Sequence, residues 1–432
     1  MSDIDIDVHH VTRVEGHGNI VVNASDGDIE KVEWQVPEAP RFFEAMVRGR
    51  SYEDIQTIVS RICGICSCTH SLAATKAVED AMDIEVSEQS DKLRVLLLNG
   101  EQIESHVLHL GYLVAPDLLG EKSVVPLVSS HNDLVRTIVR CHALGNKLME
   151  VVGGRMTHPV SLRPGGFGQL PTEKQLRELK SDIEDRIPDF QTIAEALLEL
   201  AGELPDFDRP TEYVALTNAG YYTFYHGDLG STDVEKTVPV QDFEDVISEY
   251  VSPQSTAKWT RWHRDSYAVG ALARYNRNAD QLLPLAQETA EKFGLRQGCS
   301  NPYFNNVAQL VELFQVVEHT LGLIDELLDD GIEPEKPDVT PQAGWGVGCC
   351  EAPRGILFHS YRFDDDGRCT NANISIPTNQ NHANIQKDFE SLVPQIINRD
   401  EDEIRLLLEM LVRAYDPCIS CSTHYLDVDF VG

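Results

Sequence analysis

The sequence predicts a mainly α fold with small β elements, built on a large helical-bundle core with a metal site formed by both chain ends. Three observations carry this. Apolar residues recur at helical spacing over long stretches in the middle of the chain. Strand-like alternation is confined to short segments near the two ends. Two pairs of closely spaced cysteines stand near those same ends, with the helical stretches between them.

Element by element, Ile4, Ile6 and Val8 alternate with acidic residues, the pattern of a half-buried strand, and 18–23 and 29–34 read as further strands with turn residues between. Helical spacing marks 69–82, 87–113, 132–152 and 172–204. Pro188 has no backbone N–H to give and is expected to break or kink the last of these. Residues 205–260, rich in Asp, Pro, Gly, Thr and Tyr, read as irregular, and helical spacing resumes at about 267–293 and 302–329. A Pro-containing link at 333–341 leads to Gly344-Trp-Gly-Val-Gly. Residues 354–361 then alternate like a strand, Asp364-Asp-Asp-Gly makes a hairpin turn, and 373–376 returns. A helical region at 384–414 precedes the last motif. No internal repeat interrupts the chain, and residues 1–432 read as a single domain.

Lys and Arg number 36 against 70 Asp and Glu, a net charge of −34. Such a chain repels nucleic acid and anionic membrane surfaces, so neither is expected as a partner. The excess carboxylates read either as general solubility or as adaptation to a salt-rich or acid-leaning cytoplasm. The acidic start, MSDIDIDVHH, lacks the zones of a secretory signal. No run of about 18 apolar residues appears, so a cytoplasmic protein without membrane insertion is expected.

In a large cytoplasmic chain thiols stay reduced, and clustered cysteines read as metal ligands or catalytic groups. The two clusters are Arg61-Ile-Cys63-Gly-Ile-Cys66-Ser-Cys-Thr-His70, within 61–70, and Asp416-Pro-Cys418-Ile-Ser-Cys421-Ser-Thr-His424, within 416–424. Cysteines three residues apart can face one metal, and two such pairs supply four thiolates, a set suited to zinc, nickel or iron. One alternative is a structural zinc staple. Zinc ribbons, however, space their pairs by about 15–20 residues, and most of the chain lies between these two. A redox disulfide has no thioredoxin-like βαβ setting around either pair.

These two segments resemble the RxCGxCxxxH and DPCxxCxxH signatures of nickel–iron hydrogenase large subunits. Arg13-Val-Glu15-Gly-His17, Glu351-Ala-Pro-Arg354-Gly and Pro377-Thr378 stand in the family's order. The resemblance spans nearly the whole chain and looks closest to the soluble cytoplasmic branch, coupled to NAD(P), a deazaflavin or heterodisulfide reductase. It implies reversible heterolytic cleavage of H2, with electrons passed to an iron–sulfur small subunit, then on to flavin-, NAD(P)-, deazaflavin- or heterodisulfide-reductase-linked acceptor subunits. It implies Cys63 and Cys418 as terminal nickel ligands, and Cys66 and Cys421 as thiolates bridging nickel to an iron that carries CO and two cyanides. Arg354 resembles the arginine over the centre, with Asp416 beside it and Pro377 and Thr378 against the cofactor. Glu15 resembles the glutamate that takes protons from a terminal cysteine. Glu44, the Ile374 carbonyl and His424 resemble the ligands of a structural Mg2+, a hard cation that prefers oxygen.

One position departs from the family. A carboxylate commonly precedes the first His of an HxxH pair, whereas Ser105 precedes His106 and His109 in this chain. That leaves Asp416, Arg354 or Cys418 to share its work, since Glu104 stands at the wrong helical angle. Cys349 and Cys350, just before Glu351, are expected near the centre. Cys68, Cys141, Cys299 and Cys369 read as buried small hydrophobes, and His106, His109 and His142 as core residues with proton relay as the sharper reading. No Gly-rich dinucleotide fingerprint and no ferredoxin-like cysteine run is present, which is why electrons must leave through another protein. The rival readings are the quinone-site relative in respiratory complex I, which lacks the four cysteines, and a zinc-stapled scaffold. Metal analysis separates them from a nickel–iron enzyme.

The resemblance also implies a maturation endopeptidase that cuts after His424 and removes the tail 425–432. The expectation is that the active protein ends at His424, read by intact-mass spectrometry of the purified enzyme. An active form that keeps all eight residues of the tail would reject the processing step.

Overall fold

In the computed structural model the described residues are 4–25, 28–337 and 339–423. Strands β1 (Ile4–Val8), β2 (Asn19–Ser25) and β3 (Asp28–Gln35) form an antiparallel sheet in the order β1-β2-β3. The alternation of Ile4, Ile6 and Val8 is the buried face of β1. Helices α1 (Phe43–Val47), α2 (Tyr52–Val59), α3 (Ser67–Met82) and α4 (Glu88–Leu108) follow. The Ser87 hydroxyl caps α4 by accepting the Ser90 N–H at 3.0 Å.

The predicted helix at 87–113 is not one straight α-helix. α4 gives way to a π-helix, His109–Val114, whose wider turn leads into α5 (Ala115–Leu118) and α6 (Val124–Ser130). α7 (Asn132–Gly153) ends at Gly154 in the left-handed conformation. The short hairpin β4 (Leu162–Arg163) and β5 (Gly166–Phe167) precedes α8 (Glu173–Leu200), which opens with a Thr172/Gln175 capping box. Pro188 lies inside α8 without ending it. α4, α7, α8 and α12 (Asn305–Asp330) pack together as the helical core. α12 lies within 302–330, the one helical stretch among the described residues long and apolar enough to cross a membrane, and its apolar part is mostly buried inside the fold.

The region expected to be irregular holds strands. β6 (Glu212–Thr217), β7 (Asp228–Ser231) and β8 (Val234–Val238) join β11 (Tyr267–Ala268) in a four-stranded sheet, while β9 (Ser248–Val251) pairs with β10 (Lys258–Arg261), and the short α9 (Phe243–Val246) lies between. β6 is buried on both faces, so it shows no alternation, and its neighbours are too short to show a period. The helical reading of 267–293 likewise resolves into β11, α10 (Ala271–Asn278) and α11 (Pro284–Lys292). β structure is therefore not confined to the chain ends.

Near the C-terminus β12 (Gly344–Ala352), β13 (Gly355–Phe363) and β14 (Cys369–Ser375) form an antiparallel sheet, followed by α13 (Pro377–Ile396) and α14 (Glu401–Ala414). β12 lies directly on α3. Gly344, Gly346 and Gly348 meet Ala81, Ala77 and Ala73, and a Cβ at Gly348 would stand 1.9 Å from the Ala73 carbonyl oxygen. This contact has no room for a side chain.

Gly348→Ala is accordingly expected to destabilise the protein by about 1–3 kcal/mol, as overpacking does. Gly322→Ala, in α12 with nothing within 4 Å of the new Cβ, should gain about 0.5–1 kcal/mol from helix propensity. Chemical denaturation of both variants reads the contrast, and equal stabilities would contradict the packing account.

Candidate metal centre

The first cysteine pair is set by a break between helices. A 3-10 turn, Ser60–Ile62, follows α2, Cys63 adopts extended backbone, and Cys66 is the residue on which α3 begins. The loop folds its own amides inward. Cys63 Sγ accepts the backbone N–H of Ile65 at 3.2 Å and of Cys66 at 3.1 Å, which favours a thiolate. The buried Glu101 of α4 caps the start of α3, accepting the Cys68 N–H at 2.6 Å and the Thr69 N–H at 3.1 Å. Burial pushes its carboxyl up to about 8.

The second pair follows α14. Asp416 takes the left-handed conformation, φ 48°, and turns the chain inward before Pro417. Three contacts then fix the segment. The Cys418 N–H donates to Thr378 Oγ1 at 3.0 Å, just inside α13, where the buried Pro377 is the first helical residue. The Ile419 N–H donates to the Glu15 carbonyl at 2.9 Å. Glu15 also takes the Ser420 N–H at 3.1 Å and the Ser420 hydroxyl on its carboxylate. Arg41 stitches the two cysteine segments together. Its guanidinium donates to the Ile62 carbonyl at 2.7 Å and to the Ser420 carbonyl.

The result is one buried cluster of four sulfurs lying within 4.8 Å of one another. Cys418 Sγ is 2.8 Å from Cys421 Sγ and 3.4 Å from Cys63 Sγ, and Cys66 Sγ is 4.0 Å from Cys421 Sγ. Among the described residues no other group of three or more His, Cys, Asp or Glu side chains converges in this way. Burial opposes ionisation of Cys63, but hydrogen bonds from Cys418, Cys421 and Cys66, with the Arg354 charge, hold its thiol well below the usual range. Cys418 is pushed up, chiefly by Cys421, and burial pushes Cys421 up to about 11. The protein's own groups thus favour ionisation of Cys63 and oppose it at Cys66, Cys418 and Cys421. A divalent metal supplies the charge that ionises the others, so this donor set fits a thiophilic metal or metal pair.

Arg354 is buried at the tip of the β12–β13 hairpin. One nitrogen, Nη2, donates to Asp416 Oδ1 at 2.9 Å and the other, Nη1, to the Ser105 hydroxyl at 3.2 Å. Burial works against its charge, but Asp416, Cys418, Cys66 and Cys63 keep it a cation. Gln309 donates to Asp416 Oδ2 at 3.2 Å. Ser105 thus occupies the expected position as a neutral partner of the arginine. Glu104 points elsewhere, to His142 at 2.9 Å.

The structure brings Glu44 and Ile374 together, with the Ile374 N–H donating to Glu44 Oε1 at 2.8 Å. Lys258, which no motif singles out, approaches Glu44 Oε1 at 3.3 Å, Glu249 at 3.1 Å and Asn373 Oδ1 at 3.0 Å. These oxygens are hard donors of the kind Mg2+ takes. His424 and the tail 425–432 lie outside the described residues.

The remaining cysteines stand apart from the four-sulfur group. Cys68, Cys141 and Cys369 are buried as expected, while Cys299 is only half-buried. Cys349, on β12, belongs to a buried apolar cluster with residues of β6, β7 and β11. Arg41, Gln309 and Lys258 are the residues missed, because an isolated polar residue carries no local signal of burial.

Residues 41–125 and 210–424 match the family of nickel-dependent hydrogenases. The chain is 34% identical over 425 residues to the alpha subunit of sulfhydrogenase 1 from Pyrococcus furiosus, covering 98% of both chains. It is 32% identical to one chain of the F420-non-reducing hydrogenase of Methanothermobacter marburgensis, covering 98% of this chain and 95% of that one. Among solved structures, it aligns with a chain of the NAD+-reducing [NiFe]-hydrogenase in the H2-reduced state at a TM-score of 0.89 and 26% identity, covering 98% of this chain and 100% of that one.

A serine hydroxyl is a hard donor that does not ionise near neutral pH. Cys66→Ser and Cys421→Ser are each expected to lose bound nickel and iron together with H2 uptake. Full metal content by elemental analysis in either variant would remove that cysteine from the ligand set.

Proposed function

Since this chain belongs to the nickel-dependent hydrogenase family as a large catalytic subunit, we propose that Cys63 and Cys418 hold the nickel terminally and that Cys66 and Cys421 bridge it to an iron carrying CO and two cyanides. One observation carries the reading: four buried sulfurs from both chain ends lie together, with the buried Arg354 guanidinium on Asp416, two residues before Cys418. The bound metal pair supplies the electron-rich centre at which H2 is split heterolytically.

The chain's own residues supply the rest. The Arg354–Asp416 pair supplies a fixed cation and a carboxylate next to the segment that carries Cys418, and these polarise H2 or receive its proton. Glu15, bridged to Cys418 through the backbone, takes the proton from the Cys418 sulfur and passes it outward. Ser420 holds that carboxylate in place. Thr378 and Pro377 fix the approach of Cys418. Electrons leave to an iron–sulfur small subunit, then to a flavin, nicotinamide, deazaflavin or heterodisulfide-reductase-linked acceptor. The relatives' names, which include F420-non-reducing and NAD+-reducing enzymes, support a multi-subunit setting.

In this reading Glu44, with the Ile374 carbonyl and His424, holds a Mg2+ that locks the C-terminal segment, and an endopeptidase trims the tail beforehand. The chain acts as one domain, in the cytoplasm. Infrared bands from bound CO and cyanide, with nickel and iron near one each, are the decisive observation. Zinc alone would overturn the reading.

Glu15→Gln keeps the size of the side chain and removes its capacity to accept a proton. Turnover and H+/D2 exchange are expected to fall by roughly 10²–10⁴-fold at unchanged metal content. Wild-type exchange would exclude Glu15 from the relay.

A further inference from the structure

Arg354 is the second central residue of a two-residue turn, with Ala352 opposite Gly355. Two-residue hairpins favour turns with positive φ at the first central position, because that geometry matches strand twist. Pro353 holds φ near −65° and excludes such turns. The tip therefore does not set its own direction. The Arg354 side chain is held only at its far end, by Ser105 and Asp416, and its Nε has no partner among the described residues.

Arg274, in α10, is fully buried and meets this turn from behind. Its Nη1 donates to the Ala352 carbonyl at 2.9 Å and to Glu351 Oε2 at 2.9 Å, and its Nη2 donates to the Pro353 carbonyl at 3.0 Å. The same guanidinium forks onto Glu312 at 2.6 and 2.7 Å. Glu312 in turn accepts the Tyr222 hydroxyl at 2.7 Å and faces His106 Nε2 at 2.9 Å. His106 is the chain neighbour of Ser105, on which the Arg354 tip rests. Burial works against the Glu312 charge, but Arg274 outweighs it and holds that carboxyl down at about 2. One buried ion pair thus braces the backbone beneath Arg354 and the helix that receives its tip. A pair kept for stability alone is readily replaced by apolar residues, and it has no need to grip two successive carbonyls.

We propose that Arg274 is a positioning residue for H2 cleavage, aiming the Arg354 guanidinium at the sulfur cluster by holding the Ala352 and Pro353 carbonyls, with Glu312 as its brace. This rests on Arg354 being the group that works over the metal centre.

The test uses the metal-loaded enzyme complex. Arg274→Lys keeps the charge that Glu312 needs, but an ammonium cannot reproduce the fork across Glu312 and two carbonyls. Turnover and H+/D2 exchange should fall by roughly 10- to 100-fold, as for a catalytic group displaced by up to about 1 Å. Metal content should be unchanged, and the infrared cyanide bands should shift. The loss should vanish in an Arg354→Lys background, because residues that act as a unit are not additive. A wild-type rate in R274K, or losses that multiply in the double variant, overturns the proposal. Wild-type turnover in R354K alone would instead overturn the reading of Arg354. Should R274K fail to fold, Tyr222→Phe loosens the Glu312 brace without removing a charge. A rate loss abolished by R354K supports the proposal, and a wild-type rate or a multiplying loss overturns it.

Discussion

Four sulfurs buried together is the arrangement on which the rest of this molecule depends. Thiolates within 4.8 Å of one another repel strongly where the dielectric is low. The protein offsets part of that repulsion with two amide hydrogens on Cys63 and the charge of Arg354. The remainder falls to whatever cation the sulfurs bind. The separation of 355 residues between paired sulfurs is less demanding than it looks, since loop-closure entropy grows only with the logarithm of length, by about 0.6 kcal/mol per doubling. The demanding part is register: Glu15 and Arg41 supply it by tying the two ends of the chain to each other, and Thr378 seats Cys418 against α13.

Around the sulfurs stands a layer of buried charge. Buried ion pairs contribute little stability compared with apolar packing, and they are strongly disruptive when half of one is lost. Their value is directional. Arg354 with Asp416, and Arg274 with Glu312 and Glu351, are each oriented by defined partners. Arg413 works in the same way. It joins the end of α14 to Asp117 at 2.6 Å and to the Thr12 carbonyl at 3.1 Å, and Arg13 reaches the same aspartate. The segment that carries Glu15 is thereby docked beside the helix that delivers Cys418.

Much of this was legible in the sequence, for identifiable reasons. The strand β1 and the long helices α7 and α8 have one wet face, so their periods show. β6 has none, being buried on both sides, and the π-helix at His109–Val114 is a local widening that no apolar period reports. Pro188 does not end α8, since a proline inside a helix can be carried by the packing around it. In the site, the cysteines announce themselves by spacing, and the family resemblance pointed to Glu15 and Arg354. Arg41, Arg274 and Lys258 look like any other surface cations until the fold encloses them. Their role lies in which distant carbonyls and carboxylates they meet, and that is a property of topology.

The glycine face of β12 on the alanine stripe of α3 has a consequence for how this protein varies. Most cores absorb substitution by trading volume between neighbouring side chains. At this seam the main chain of one element lies against the main chain of the other, and there is no volume to trade. α3 begins at Cys66, and β12 ends at the turn that carries Arg354. The height of the β12 main chain over the α3 main chain is therefore set by backbone thickness, and Arg274 is left to aim the guanidinium from the end of that strand. The seam acts as a gauge block: it holds one dimension of the fold constant while the surrounding sequence remains free to change.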